Sequence, residues 1–82
     1  MIDLKKDVMG TGRQFKDPKI GEMEFFLGSL CKIKFNGKEK EFPYEVETHD
    51  KLRIKFSHDP DYRITFVKTH GEITWTAEAV FF

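Results

Sequence analysis

Lys51-Leu52-Arg53-Ile54-Lys55-Phe56-Ser57-His58-Asp59-Pro60-Asp61-Tyr62-Arg63-Ile64-Thr65-Phe66 is the stretch whose reading decides the fold of this chain. Leu52, Ile54 and Phe56 alternate with Lys51, Arg53 and Lys55. After a loop rich in turn formers, Tyr62, Ile64 and Phe66 alternate with Arg63 and Thr65. A period of two places successive side chains on opposite faces, so each run has one apolar and one polar side. That is how an antiparallel strand with one wet face reads.

The same period extends outward in both directions. Upstream, Cys31, Ile33 and Phe35 alternate with Lys32 and Lys34, and Phe42, Tyr44 and Val46 alternate with Glu41, Pro43, Glu45 and Glu47. Downstream, Ile73, Trp75, Ala77, Ala79 and Phe81 alternate with Thr74, Thr76 and Glu78. Asn36-Gly37 and His70-Gly71 suit two-residue hairpin turns, because both central positions need positive φ. Thr48-His49-Asp50 and residues 57–61 are longer turns.

Loop lengths then fix pairings. A 48–50 turn sets Glu47 against Lys51, Glu45 against Arg53, Val46 against Leu52 and Tyr44 against Ile54. A 57–61 loop sets Phe56 against Tyr62, Ile54 against Ile64 and Leu52 against Phe66. The His70-Gly71 turn sets Thr69 against Glu72, Phe66 against Trp75, Ile64 against Ala77 and Arg63 against Glu78. Apolar parity agrees in all three hairpins, and a one-residue slip would reverse it. At Asn36-Gly37 a two-residue loop sets Lys32 against Glu41, and a four-residue loop sets Lys34 there.

The N-terminal third is less patterned. Ile2 to Val8 reads as a strand, and Gly10-Thr11-Gly12 as a break. Strands near 11–16 and 22–27, joined by residues 17–21, set Phe15 against Met23. The alternative is a short helix near 18–27 with Asp17 as N-cap and Pro18 as the first helical residue, packed on a five-stranded sheet. Gly21 and Phe25-Phe26 disfavour that helix. The expected fold is therefore all-β: an antiparallel up-and-down meander of about six to eight short strands, forming a small open or closed barrel. Residues 1–82 are read as a single domain.

Composition narrows function. Of 82 residues, 39% are hydrophobic and 34% charged, an ordinary globular balance, and nine are Phe. Fourteen basic and fourteen acidic side chains cancel, which argues against a dedicated nucleic-acid binder. Parity places aromatics on one face and cations on the other, so a single-strand stacking platform is not expected. Cys31 is the one cysteine; it excludes an internal disulfide and suits a reducing compartment. No signal peptide is visible and no apolar run is long enough for a membrane helix. A cytoplasmic protein without membrane association is expected.

Glu41-Phe42-Pro43-Tyr44-Glu45-Val46-Glu47, a short turn, and Leu52-Arg53-Ile54-Lys55-Phe56 together resemble small bacterial lipocalin-like (calycin-type) domains. Gly10-Thr11-Gly12 and Glu24-Phe25-Phe26 followed by Gly28 are similar to the opening and second strand of such domains. Gly12 stands where the family carries a Trp that plugs one barrel end. The resemblance spans roughly residues 10–76. It implies an up-and-down meander, open or closed, that binds rather than catalyses, and it assigns no ligand residue.

His49, His58 and His70 fall in turns at alternating ends of a meander, so they do not converge on a metal, and no cofactor is expected. Cys31 falls on the inner face, where a thiolate is disfavoured. No nucleophile–base or acid–base pair shares a face, so an enzyme is not expected. Phe26, Leu30, Val80 and Phe82 fall on the outer face and form the candidate protein interface, for a protein partner or a homodimer. Tyr44, Ile54, Tyr62, Ile64, Trp75, Ala77 and Ala79 form the alternative, a cleft for a small apolar ligand. The leading expectation is a non-catalytic protein-binding module, a small adaptor or inhibitor; the alternative is a carrier.

Overall fold

The computed structural model describes residues 2–81. Seven antiparallel strands follow one another in sequence order across the sheet: β1 (Phe15–Asp17), β2 (Gly21–Phe25), β3 (Leu30–Phe35), β4 (Lys38–Thr48), β5 (Lys51–Ile54), β6 (Asp61–Thr69) and β7 (Glu72–Val80). They wrap into a nearly closed barrel. The two-strand reading of residues 11–27 holds, with Phe15 opposite Met23, and the alternative helix near 18–27 is absent.

β4 is eleven residues long and serves two neighbours. Its first half, through Pro43, pairs with β3, and its second half, from Tyr44, pairs with β5. Pro43 sits at the changeover. It has no N–H to donate, which suits a point where the ladder changes partner. Its carbonyl accepts from Lys55 N at 2.9 Å, and Tyr44 N donates back to Ser29 O at 3.0 Å.

The turns follow from backbone chemistry. Asn36 and Gly37 have φ of 51° and 76°, and His70 and Gly71 have 51° and 82°, the positive pairs that match strand twist in two-residue hairpins. Phe35 therefore pairs with Lys38 and Lys32 with Glu41. Gly21 is required for another reason: φ is 108°, and a Cβ there would stand 2.5 Å from the Lys34 carbonyl oxygen.

Register is as expected in two hairpins. Tyr44–Ile54, Glu45–Arg53 and Val46–Leu52 pair, although a bulge at Glu47 gives Lys51 to Thr48. Every pairing expected across His70-Gly71 is present. The β5–β6 register is corrected by two residues: Ile54 faces Tyr62 and Leu52 faces Ile64. Asp61 is the cause. It is 5% exposed and accepts from Arg53 Nη2 at 2.8 Å, from Arg53 Nε at 3.1 Å and from Phe56 N at 3.0 Å. β6 consequently begins at Asp61, and Phe56 leaves the ladder. Arg53 now faces Arg63. Glu45 and Asp61 flank Arg53, while Glu47 and Glu78 flank Arg63.

Ile2 to Val8 is not a strand. Leu4–Asp7 forms a single-turn helix, α1. Asp3 Oδ1 accepts from Lys5 N at 3.0 Å and Asp7 Oδ2 accepts from Asp3 N at 3.0 Å, a reciprocal cap. Leu4 and Val8, four apart, share one face, and with Ile2 and Met9 they are buried. Leu4 N donates to His49 O, Gly10 N donates to Phe25 O at 2.8 Å, and Asp7 pairs with Lys68 at 3.1 Å. All three partners lie at the end of the barrel holding the β2–β3, β4–β5 and β6–β7 turns. The N-terminal segment therefore plugs that end.

Rings fill the middle. Phe25 stacks edge-on to Tyr44 at 5.3 Å and to Phe66 at 6.0 Å, and Phe15 lies 5.5 Å from Phe66. Such tilted packing suits the ring quadrupole. β1 and β7, the two ends of the strand order, meet through side chains: Phe15 is edge-on to Trp75 at 5.3 Å, and Trp75 Nε1 donates to Asp17 Oδ2 at 3.3 Å.

Candidate functional site

The opposite end of the barrel carries the β1–β2, β3–β4 and β5–β6 turns, and it holds a cavity of about 280 Å³. Its apolar wall is made by Ile20, Ile33, Phe35, Phe42, Phe56 and Tyr62. Three of these rings pack as a set, with Phe42 4.5 Å from Phe56 and Phe56 5.5 Å from Tyr62. Phe56 reaches this position because Asp61 holds its N–H outside the ladder. A shallower groove continues from Lys40, Phe42 and Phe56 over Pro43 and Lys55.

Lys19, Lys38 and Lys40 complete the rim, with Asp59 as the one carboxylate. Lys38 pairs with Phe35, and Lys40 with Ile33. Paired residues of an antiparallel ladder share a face, so both lysines stand on the inner face of the barrel. This corrects the expectation that aromatics and cations occupy opposite sides. Among the described residues, no ion pair or hydrogen bond engages the side-chain nitrogens of Lys19, Lys38 or Lys40, whereas Lys32, one step out of phase, pairs with Glu39 at 3.2 Å. The signal was present in the sequence: the alternation of Phe42 and Tyr44, run two steps back, lands on Lys40 and Lys38.

Most of the expected cleft is solid core. Tyr44, Ile54 and Ile64 are buried in it, and the Tyr44 hydroxyl donates to the Phe26 carbonyl. Burial pushes the Tyr44 phenol above its ordinary range. Ala77 is half-buried against the core, Ala79 is exposed, and half-buried Trp75 serves the β1–β7 seam. Tyr62 is the one cleft candidate that lines the cavity.

The candidate interface residues separate. Phe26, half-buried, and Leu30, 37% exposed, stand at the plugged end beside Leu27, which is 69% exposed. Val80 pairs with Asp61 at the other end, and Phe82 lies outside the described residues. His49 and His70 sit in turns at the plugged end, and His58 lies in the loop at the open end. Among the described residues, no group of three His, Cys, Asp or Glu side chains is placed to hold a metal ion. Burial pushes the Cys31 thiol up to about 12. No helix among the described residues is long and apolar enough to cross a membrane.

Fold and cavity together define a small all-β meander, a nearly closed barrel compatible with a lipocalin-like architecture, plugged at one end and open at the other. No protein-family model, curated protein or solved structure matches this chain.

Proposed function

We propose that this chain is a non-catalytic binding module of lipocalin-like kind, a carrier that takes a small apolar molecule into the open mouth of its barrel. One observation carries this reading: a cavity of about 280 Å³ walled by Phe35, Phe42, Phe56 and Tyr62. Ligand pockets are concave, mostly apolar and equipped with a few convergent polar groups. This one is smaller than the roughly 300–1,000 Å³ of drug-sized sites, so the cargo is compact, a ring system or a short acyl chain. The core behind it is filled, which confines binding to the mouth. A reducing, cytoplasmic setting is part of the proposal, because the single buried thiol needs no oxidising environment.

Uptake of the neutral fluorescent probe phenylnaphthylamine tests this. The native protein should bind it, and Phe35→Ser should weaken binding about fivefold, as expected when part of the apolar contact between wall and ligand is lost. Phe35 is 48% exposed, so the exchange leaves the core intact. No uptake by the native protein contradicts the carrier.

A second reading, contact with a protein partner or with a second copy, is favoured by the exposed Leu27 and Leu30 at the plugged end. Sedimentation at several concentrations distinguishes it. Association that Leu27→Ser abolishes supports self-contact, and a monomer throughout removes it.

A further inference from the structure

We propose that the mouth selects organic anions: its occupant joins a compact apolar body to a carboxylate, sulfonate or phosphate held by Lys19, Lys38 and Lys40. This rests on the carrier reading and specifies its ligand. Three lysines against Asp59 leave the rim a formal charge of +2, although the whole chain is neutral. Elsewhere on the barrel, several cations are neutralised by neighbours: Lys16 by Glu22, Lys32 by Glu39, Lys55 by Glu45 and Arg63 by Glu47. Among the described residues, none of the three lysines around the cavity has a carboxylate partner.

Placement adds to charge. Lys38 and Lys40 rise from consecutive inward positions of β4, and Lys19 projects from the β1–β2 turn. Between them lie the rings of Phe35 and Phe42 and the side chains of Ile20 and Ile33. A ligand with its apolar body on the rings therefore meets ammonium groups at its polar end. Low-dielectric walls strengthen such an attraction relative to open solvent, and charge-assisted hydrogen bonds are stronger than neutral ones. The ammonium groups are point donors on flexible stems, so they suit several oxyanion geometries rather than one.

A matched pair of probes tests the proposal. Anilinonaphthalenesulfonate and phenylnaphthylamine share a ring framework and differ by the sulfonate. The native protein should bind the sulfonate about tenfold more tightly than the neutral probe, the scale of one charge-assisted hydrogen bond. Raising salt should narrow the difference. In the double variant Lys38→Gln, Lys40→Gln the ratio of the two affinities should fall toward one. Lys6→Gln, on α1 at the plugged end, should leave it as in the native protein. Equal affinities in the native protein overturn the anion proposal and leave the carrier standing. Failure of both probes to bind overturns the carrier as well. A single-stranded oligonucleotide should not displace the sulfonate probe; displacement at micromolar concentration would transfer the site to nucleic acid and overturn the small-ligand assignment.

Discussion

Cys31 lies on β3 opposite Phe25 and Phe42, among the most buried side chains of the chain. Desolvation disfavours its thiolate and pushes its pKa from 9.0 up to about 12. Below about pH 9 the thiol is neutral in both folded and unfolded chains. As pH rises from about 9 toward 12, the unfolded chain releases the proton while the folded chain keeps it, so folding stability falls. Cys31 should contribute a slope of about 1.4 kcal/mol per pH unit across that window. Urea unfolding of the native protein and of Cys31→Ala checks it: their stabilities should converge as pH rises, and parallel profiles would contradict the burial. Lys38 and Lys40 are the opposite case, charged residues in phase with buried ones. They remain solvated because the barrel ends beneath them, so an inward lysine here needs no buried partner.

At the scale of elements, much of the meander was legible and its limits were specific. The hairpin at His70-Gly71 announces itself because a two-residue turn admits few residue types and leaves one register, whereas at Asn36-Gly37 the pattern admits a two- or a four-residue loop and the structure takes the two-residue one, with Lys32 opposite Glu41. The 55–60 loop has no such constraint. A two-residue slip keeps every apolar side chain inside, so the hydrophobic pattern could not choose between Ile54–Ile64 and Ile54–Tyr62. A tertiary interaction chose: Asp61 beneath Arg53 and the Phe56 N–H. Asp61→Asn removes the charge that holds Arg53 and should lower unfolding free energy by about 2–3 kcal/mol in urea titration; a change under about 0.5 kcal/mol would place the register elsewhere. α1 was hidden for a different reason. Four helical residues are too few to show a period, and their capping depends on Asp3 and Asp7 bonding each other rather than on propensity. The cleft was half legible. Tyr62 lines the cavity as its inward parity implies, but the two-residue slip moved the Ala77 and Ala79 rows, and the inner phase of β4 runs past Phe42 to Lys40 and Lys38, where charge masks the alternation.

For the molecule as a whole, the ends of the barrel differ. Ile2, Leu4, Val8 and Met9 seal one, while the mouth ringed by Phe35, Phe42, Phe56 and Tyr62 stays open. A short chain gains stability by filling its interior, and here the filling comes from its own first turn and from Phe15, Phe25 and Phe66. The cavity is at the mouth, and Lys19, Lys38 and Lys40, which have no ion pair among the described residues, stand around it. The proposed carrier role follows from that asymmetry. The most direct measurement is a titration of the isotopically labelled protein with indole, a neutral soluble ring, followed by amide chemical shifts. Ile20, Ile33, Phe35, Phe42 and Tyr62 should move together along one saturating curve while residues 4–9 stay fixed. Shifts centred on α1 or on Leu27 and Leu30, or none at the mouth, would contradict it.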